Sequence, residues 1–184
     1  MSTAVATGIA AGTWTVDPSH ANVGFVARHL MVHKVRGLFS GVAGAIHVGE
    51  TLDDTWVEAT IDAASLSTRD DQRDGHLKSP DFLDVENYPE ISFRSTAIED
   101  LGDGRFRVPG TLTILDVTRP ITLEATLEGT ATDPYGSERA AFSASTEIDR
   151  EAWGMTWNVP LETGGVLVSK KVALEIEVEV TSQV

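Results

Sequence analysis

The feature that most constrains the fold of this chain is an apolar–polar alternation with a period of two, cleanest near its C-terminal end. There Val172, Leu174, Ile176, Val178 and Val180 alternate with Lys171, Glu175, Glu177 and Glu179. Successive side chains of an extended strand point to opposite faces, so such a segment reads as a strand with one apolar and one charged face. The same phase recurs at Ile121, Leu123, Ala125 and Leu127 against Thr122, Glu124, Thr126 and Glu128, and at Val57, Ala59, Ile61 and Ala63 against Glu58, Thr60 and Asp62. It recurs again at Ala21, Val23, Phe25 and Ala27 against Asn22, Gly24 and Arg28. Eight or nine such strands with short connections imply an antiparallel sheet, closed as a barrel or folded as a sandwich. The inward positions mix Phe25, Phe93, Ile121 and Leu123 with Ala21, Ala27, Ala59, Ala63 and Ala125. Small residues leave room, which favours a barrel with a cavity over a filled sandwich.

Local signals divide the rest. Thr13 to Val16 is expected to be a short strand ended by Asp17 and Pro18, with a second strand starting at Ala21. Leu30 to Arg36 breaks the alternation and suggests one or two helical turns, after which Gly37 to Val48 reads as one Gly-rich strand suited to bending. Between Ser65 and Ser95 the alternation gives way to a polar segment, in which Asp70 to Lys78 is expected to form a short helix ended by Ser79 and Pro80. Asp103 and Gly104 signal a tight hairpin. Asp116 to Pro120 is expected to be a five-residue loop, and Asp149 to Glu162 an irregular aromatic loop.

Length and charge limit function. A chain of 184 residues fits one domain, with residues 1–12 expected to be a flexible tail and 13–184 a single β-barrel domain. The formal charge of −14 repels phosphate backbones and anionic membrane surfaces, so no nucleic-acid partner is expected. The absence of Cys removes disulfides, thiol catalysis and thiolate metal sites. Met1 to Gly12 has no basic n-region or long apolar run, and no later run approaches a membrane span, so a cytoplasmic protein without stable membrane insertion is expected. The five histidines show neither HxH nor HExxH spacing, and GxSxG is missing, so neither a metal site nor a serine nucleophile is expected.

Five strings carry a resemblance: DPSHANVGFVARHL from Asp17, VRGLFSG from Val35, RDGHLKSPDFLDVENYPEISFRST from Arg73, GTLTILDVTRPITL from Gly110 and DREAWGMTWN from Asp149. Together they resemble the YceI-like proteins, a lipocalin-like group associated with polyisoprenoid lipids, from Trp14 to Val180. Asp116 and Trp153 depart from it, standing where the family more often has Gly and Phe. The resemblance implies an all-β, extended antiparallel up-and-down β-barrel of about eight strands, with one or two short helices in its connections. It also implies an apolar tunnel holding a long-chain isoprenoid, a polyprenyl phosphate or an isoprenoid quinone, for binding, storage or transport, and a homodimer. No further cofactor is expected.

The residues expected to line the tunnel are Val23, Phe25, Ala27, Phe39, Ile61, Phe93, Leu112, Leu123, Phe142 and Leu174. Those expected at the head group or mouth are His20, Arg28, His29, Asp74, His76 and Trp157. Each has a plainer reading. A buried His is as often tied to a carbonyl or carboxylate as to a ligand, and Asp74 and His76 are better placed to satisfy a strand connection. Trp56, on the outward phase, is a candidate for a dimer surface. Forty buried carbons would gain roughly 30 kcal/mol gross, beyond the ~20 kcal/mol at which affinities saturate, so the head group must discriminate. Unless Arg28, Arg36 or Arg73 gather locally, the net charge favours a neutral head such as a quinone. The alternative is an enzyme on an isoprenoid or acyl substrate using His and Asp residues at the barrel mouth; no residue is assigned as catalytic.

Overall fold

The computed structural model describes residues 8–183. In chain order its strands are β1 (Gly12–His29), β2 (His33–Phe39), β3 (Val42–Val48), β4 (Trp56–Asp62), β5 (Leu66–Ser67) and β6 (Glu90–Ser95). They continue as β7 (Glu99–Gly102), β8 (Arg105–Ile114), β9 (Val117–Thr132), β10 (Glu138–Asp149) and β11 (Lys171–Ser182), and the one α-helix among the described residues, α1, is Asp71–Lys78. Eight of these strands follow one another in the order β1, β3, β4, β6, β8, β9, β10, β11, and antiparallel pairing of β11 with β1 closes the ring. Closure decides between the two architectures the alternation allowed, because a sandwich would leave those edges apart.

The 18-residue β1 corrects the expected break at Asp17–Pro18. It runs through Pro18, with its register against β11 shifting between Val16 and Ala21. On its other side β1 pairs with β3 over Gly12 to Thr15 and with β2 over Val23 to His29. Pro18 sits in the irregular stretch between those ladders, where a missing amide donor costs no sheet hydrogen bond.

Three further expectations are corrected. Leu30 to Arg36 is a hairpin, with Leu30 and Met31 both left-handed (φ 53° and 63°) and Val32 N–H donating to His29 O at 3.1 Å. Positive φ at both central residues is the turn geometry that matches strand twist, and here it is met without Gly or Asn. Gly37 to Val48 is two strands, β2 and β3, parted at Ser40–Gly41. The expected loop at Asp116 to Pro120 is only Leu115 and Asp116, since Ile114 already faces Val117. Pro120 lies in β9 before Glu124, the stretch with no partner on the β10 side.

Other local readings hold. Asp103 and Gly104 (φ 56° and 73°) form the β7–β8 turn. In α1 the Asp70 carboxylate caps the helix, accepting from Arg73 N–H at 2.9 Å, and Ser79 is the C-cap. Ile9, within the expected tail, is buried, and Trp14 Nε1 donates to Ala10 O at 3.0 Å; residues 1–7 lie outside the described ones. The core, from Ile9, Trp14 and Val16 to Ile148, Trp153 and Val180, fills the barrel ends and lines its middle.

Candidate functional site

The interior holds two apolar compartments. The first, of about 170 Å³, is lined mainly by β1, β3, β4, β6 and β8 to β11, and among its walls only Thr55 and Glu58 are polar. The second, of about 140 Å³, takes in Leu66, Leu77, Phe82, Leu83 and Ile91, and Arg150 is its only polar wall residue. Val23, Ile61, Leu112 and Leu174 line both and form the partition. Together they reach only the lower end of the roughly 300–1,000 Å³ of ligand pockets. A long chain therefore needs these partition side chains to rotate aside. A larger concavity, about 880 Å³, is a mixed groove that includes outward residues such as Asn22, Arg36, Glu124 and Glu175 beside Leu38 and Leu101.

All ten residues expected in the tunnel line these compartments. Phe93, Leu123 and Phe142 are in the first, Phe25, Ala27 and Phe39 in the second, and the four partition residues in both. The Ser65 to Ser95 connection roofs the second compartment through Leu66, Leu77, Phe82, Leu83 and Ile91.

The six residues expected at the head group are scattered. His76 and Trp157 meet, with ring centroids 4.5 Å apart and planes at 90°. Both rings also pack on Phe82, at 5.2 and 5.6 Å, and His76 Nε2 lies 2.9 Å from Asp81 Oδ2. Asp74 is buried away from this pair's contacts, its Oδ1 accepting from Thr68 N–H at 2.8 Å and Thr68 Oγ1 at 2.6 Å, which ties α1 to the strand before it. His29 keeps the inward phase but stands past the end of the barrel, exposed, in a bridge to Val168. Arg28 is exposed on the outer face, its amide donating to Ser169 Oγ at 2.9 Å. His20 is exposed beside Asp17, 3.0 Å from Oδ2.

Arg28, Arg36 and Arg73 do not gather at the cavity: Arg36 faces Glu175 at 3.6 Å, and Arg73 donates to Thr68 Oγ1 and O. The cation at the cavity is Arg150, which the sequence reading passed over. It opens the 3-10 turn Arg150–Trp153 that follows β10, is 3 % exposed, and burial pushes its guanidinium below its ordinary range. A signal was present, since Phe142, Ala144, Thr146, Ile148 and Arg150 share one phase of the alternation.

A second polar cluster lies outside the cavity. Arg139 donates to Asp133 Oδ2 (2.9 Å), Asp17 Oδ2 (2.9 Å) and Glu179 Oε1 (2.7 Å). The hydroxyl of Ser19, then His20 and Arg139, hold the Asp17 carboxyl well below its ordinary range; the Ser137 amide and Arg139 lower Asp133. Asp17, His20 and Glu179 are close enough for a metal, but both carboxylates are already paired with the Arg139 cation.

A closed antiparallel barrel with an apolar, partitioned interior and an aromatic roof defines a lipocalin-like barrel. The chain belongs to the YceI-like domain family, whose model matches residues 14–180. A UPF0312 protein of Vibrio parahaemolyticus is 36 % identical over 145 residues, 77 % of each chain. The YceI protein of Campylobacter jejuni superposes with a TM-score of 0.72 at 28 % identity, covering 85 % of this chain and 90 % of that one. A polyisoprenoid binding domain from Saccharophagus degradans, at 14 % identity and a TM-score of 0.66 over 92 % and 98 % of the two chains, shares the fold.

Proposed function

We propose that this protein binds a long-chain isoprenoid lipid in the barrel interior and carries or stores it. The observation that supports this most directly is the pair of compartments whose shared walls, Val23, Ile61, Leu112 and Leu174, are wholly apolar, so that turning four side chains would merge the two. Burying an apolar chain there releases about 0.8 kcal/mol per CH₂, which offsets the ordering cost of even a flexible tail. The polyisoprenoid-binding relative in fold and the YceI-like membership support the isoprenoid class. A homodimer, free in the cytoplasm, completes the reading. Trp56, stacked on His47 at 5.5 Å with Arg94 over its ring, is its candidate contact.

Native mass spectrometry of protein purified from its own host tests the reading. The expected result is a non-covalent adduct of long-chain mass that organic extraction removes. Protein that carries no adduct and takes up no polyprenol on titration would sink it. An enzyme reading would use the His76–Asp81 pair, which has the geometry of an oriented base at the cavity roof. It predicts turnover of a bound isoprenoid or acyl substrate that His76→Ala abolishes while binding is kept.

A further inference from the structure

Arg150 lines the second compartment, is 3 % exposed, and among the described residues makes no ion pair with a carboxylate. Its two acidic neighbours are engaged elsewhere: Asp149 Oδ1 accepts from Glu151 N–H at 3.0 Å, and Glu151 pairs with Lys170 at 3.2 Å. The guanidinium is aimed by three backbone carbonyls instead. Nε donates to Ser169 O (2.9 Å), Nη1 to Met155 O (2.6 Å) and Nη2 to Val168 O (3.3 Å). A guanidinium carries five N–H groups, so one on each terminal nitrogen is left over. The group lies 5.6 Å over the Phe82 ring, which packs against His76 and Trp157, so cation and aromatic cluster share one end of the cavity.

We propose that Arg150 is a head-group anchor and that the lipid it selects carries an oxyanion, a phosphate or a carboxylate, at the end of its apolar chain. This rests on the reading that the interior takes a lipid. Carbonyl dipoles orient the buried cation and the Asp149 and Glu151 carboxylates act on it without touching it, so a bound oxyanion would supply the contact ion pair it lacks, in the planar two-donor geometry that guanidinium matches. An uncharged quinone or alcohol supplies an acceptor without the charge. The protein's overall charge of −14 is no obstacle, because its exposed carboxylates are screened by water and salt, whereas Arg150 acts at contact distance inside the barrel.

The test uses three probes with the same tail, farnesol, farnesoic acid and farnesyl monophosphate, titrated into the intact protein and followed by calorimetry. The two acids are expected to bind at least about tenfold tighter than the alcohol. Their order tells phosphate from carboxylate. Arg150→Met is expected to abolish the difference, so that the acids bind the variant no tighter than the alcohol does. Should that variant fail to fold, for Arg150 also ties down residues 155–169, the wild-type series and the NMR shift of Arg150 Nε on adding farnesyl monophosphate decide. Equal affinity for alcohol and acids, or an unmoved Arg150 resonance, would overturn the anchor while leaving the lipid reading intact. If none of the probes binds, the lipid reading fails and the anchor with it.

Discussion

Arg139 shows how single residues join distant parts of this barrel. It lies in β10, yet its guanidinium reaches Asp17 in β1, Asp133 in the β9–β10 turn and Glu179 in β11, binding the strands on either side of the closing seam. Lowered carboxyl pKa values make this network pH-dependent. Asp17 and Asp133 contribute stability that is present above their unfolded values, near 3.9, and is lost as pH falls through the lower folded values. Arg139→Met is therefore expected to lower the melting temperature at pH 7 and to flatten its fall between about pH 5 and pH 2. The slope does not vanish, because Ser19 and His20 still hold Asp17 down. Melting curves of the two proteins across that range check it; parallel pH profiles would contradict the network.

At the scale of elements, glycines mark where strands are crossed by aromatic rings. Gly37 in β2 pairs with Phe25 in β1, and a Cβ built on Gly37 would sit 2.1 Å from the Phe25 ring, which covers the glycine. Gly37→Ala must push that ring off a wall of the second compartment. The expected cost is about 1–3 kcal/mol, as for other overpacked sites, read as a lower denaturation midpoint in urea. The element scale is also where sequence reasoning misplaced boundaries. Proline predicts a strand end at Pro18, and the broken alternation predicts helical turns over Leu30 to Arg36. Both misreadings share a cause: proline and irregular phase disfavour a regular ladder, but a register shift and a switch of partners absorb the first and a hairpin turn the second, and strand partners are not written in the local sequence.

For the whole molecule, the decisive feature is that the barrel closes around space it does not fill. Ala45, Ala59, Ala125 and Ala144 keep the first compartment open. Ala125→Phe is expected to fill part of it, to leave the fold intact by circular dichroism, and to reduce polyprenol uptake severalfold; unchanged uptake would place the ligand elsewhere. The alternation of apolar and polar residues was enough to determine that the chain forms an antiparallel sheet and which face of its regular strands turns inward, and the cap residues were enough to mark the helix Asp71–Lys78, because burial face and helix caps are properties of neighbours along the chain. It did not determine which charged groups share the cavity. His29 has the inward phase but stands past the barrel's end, and Arg150 has the same kind of phase but lies beneath the roof formed by Phe82 and the loop to Val168. Phase gives the direction of a side chain, whereas its depth depends on where the strand lies in the closed barrel and on what covers it, and only the tertiary structure decides that.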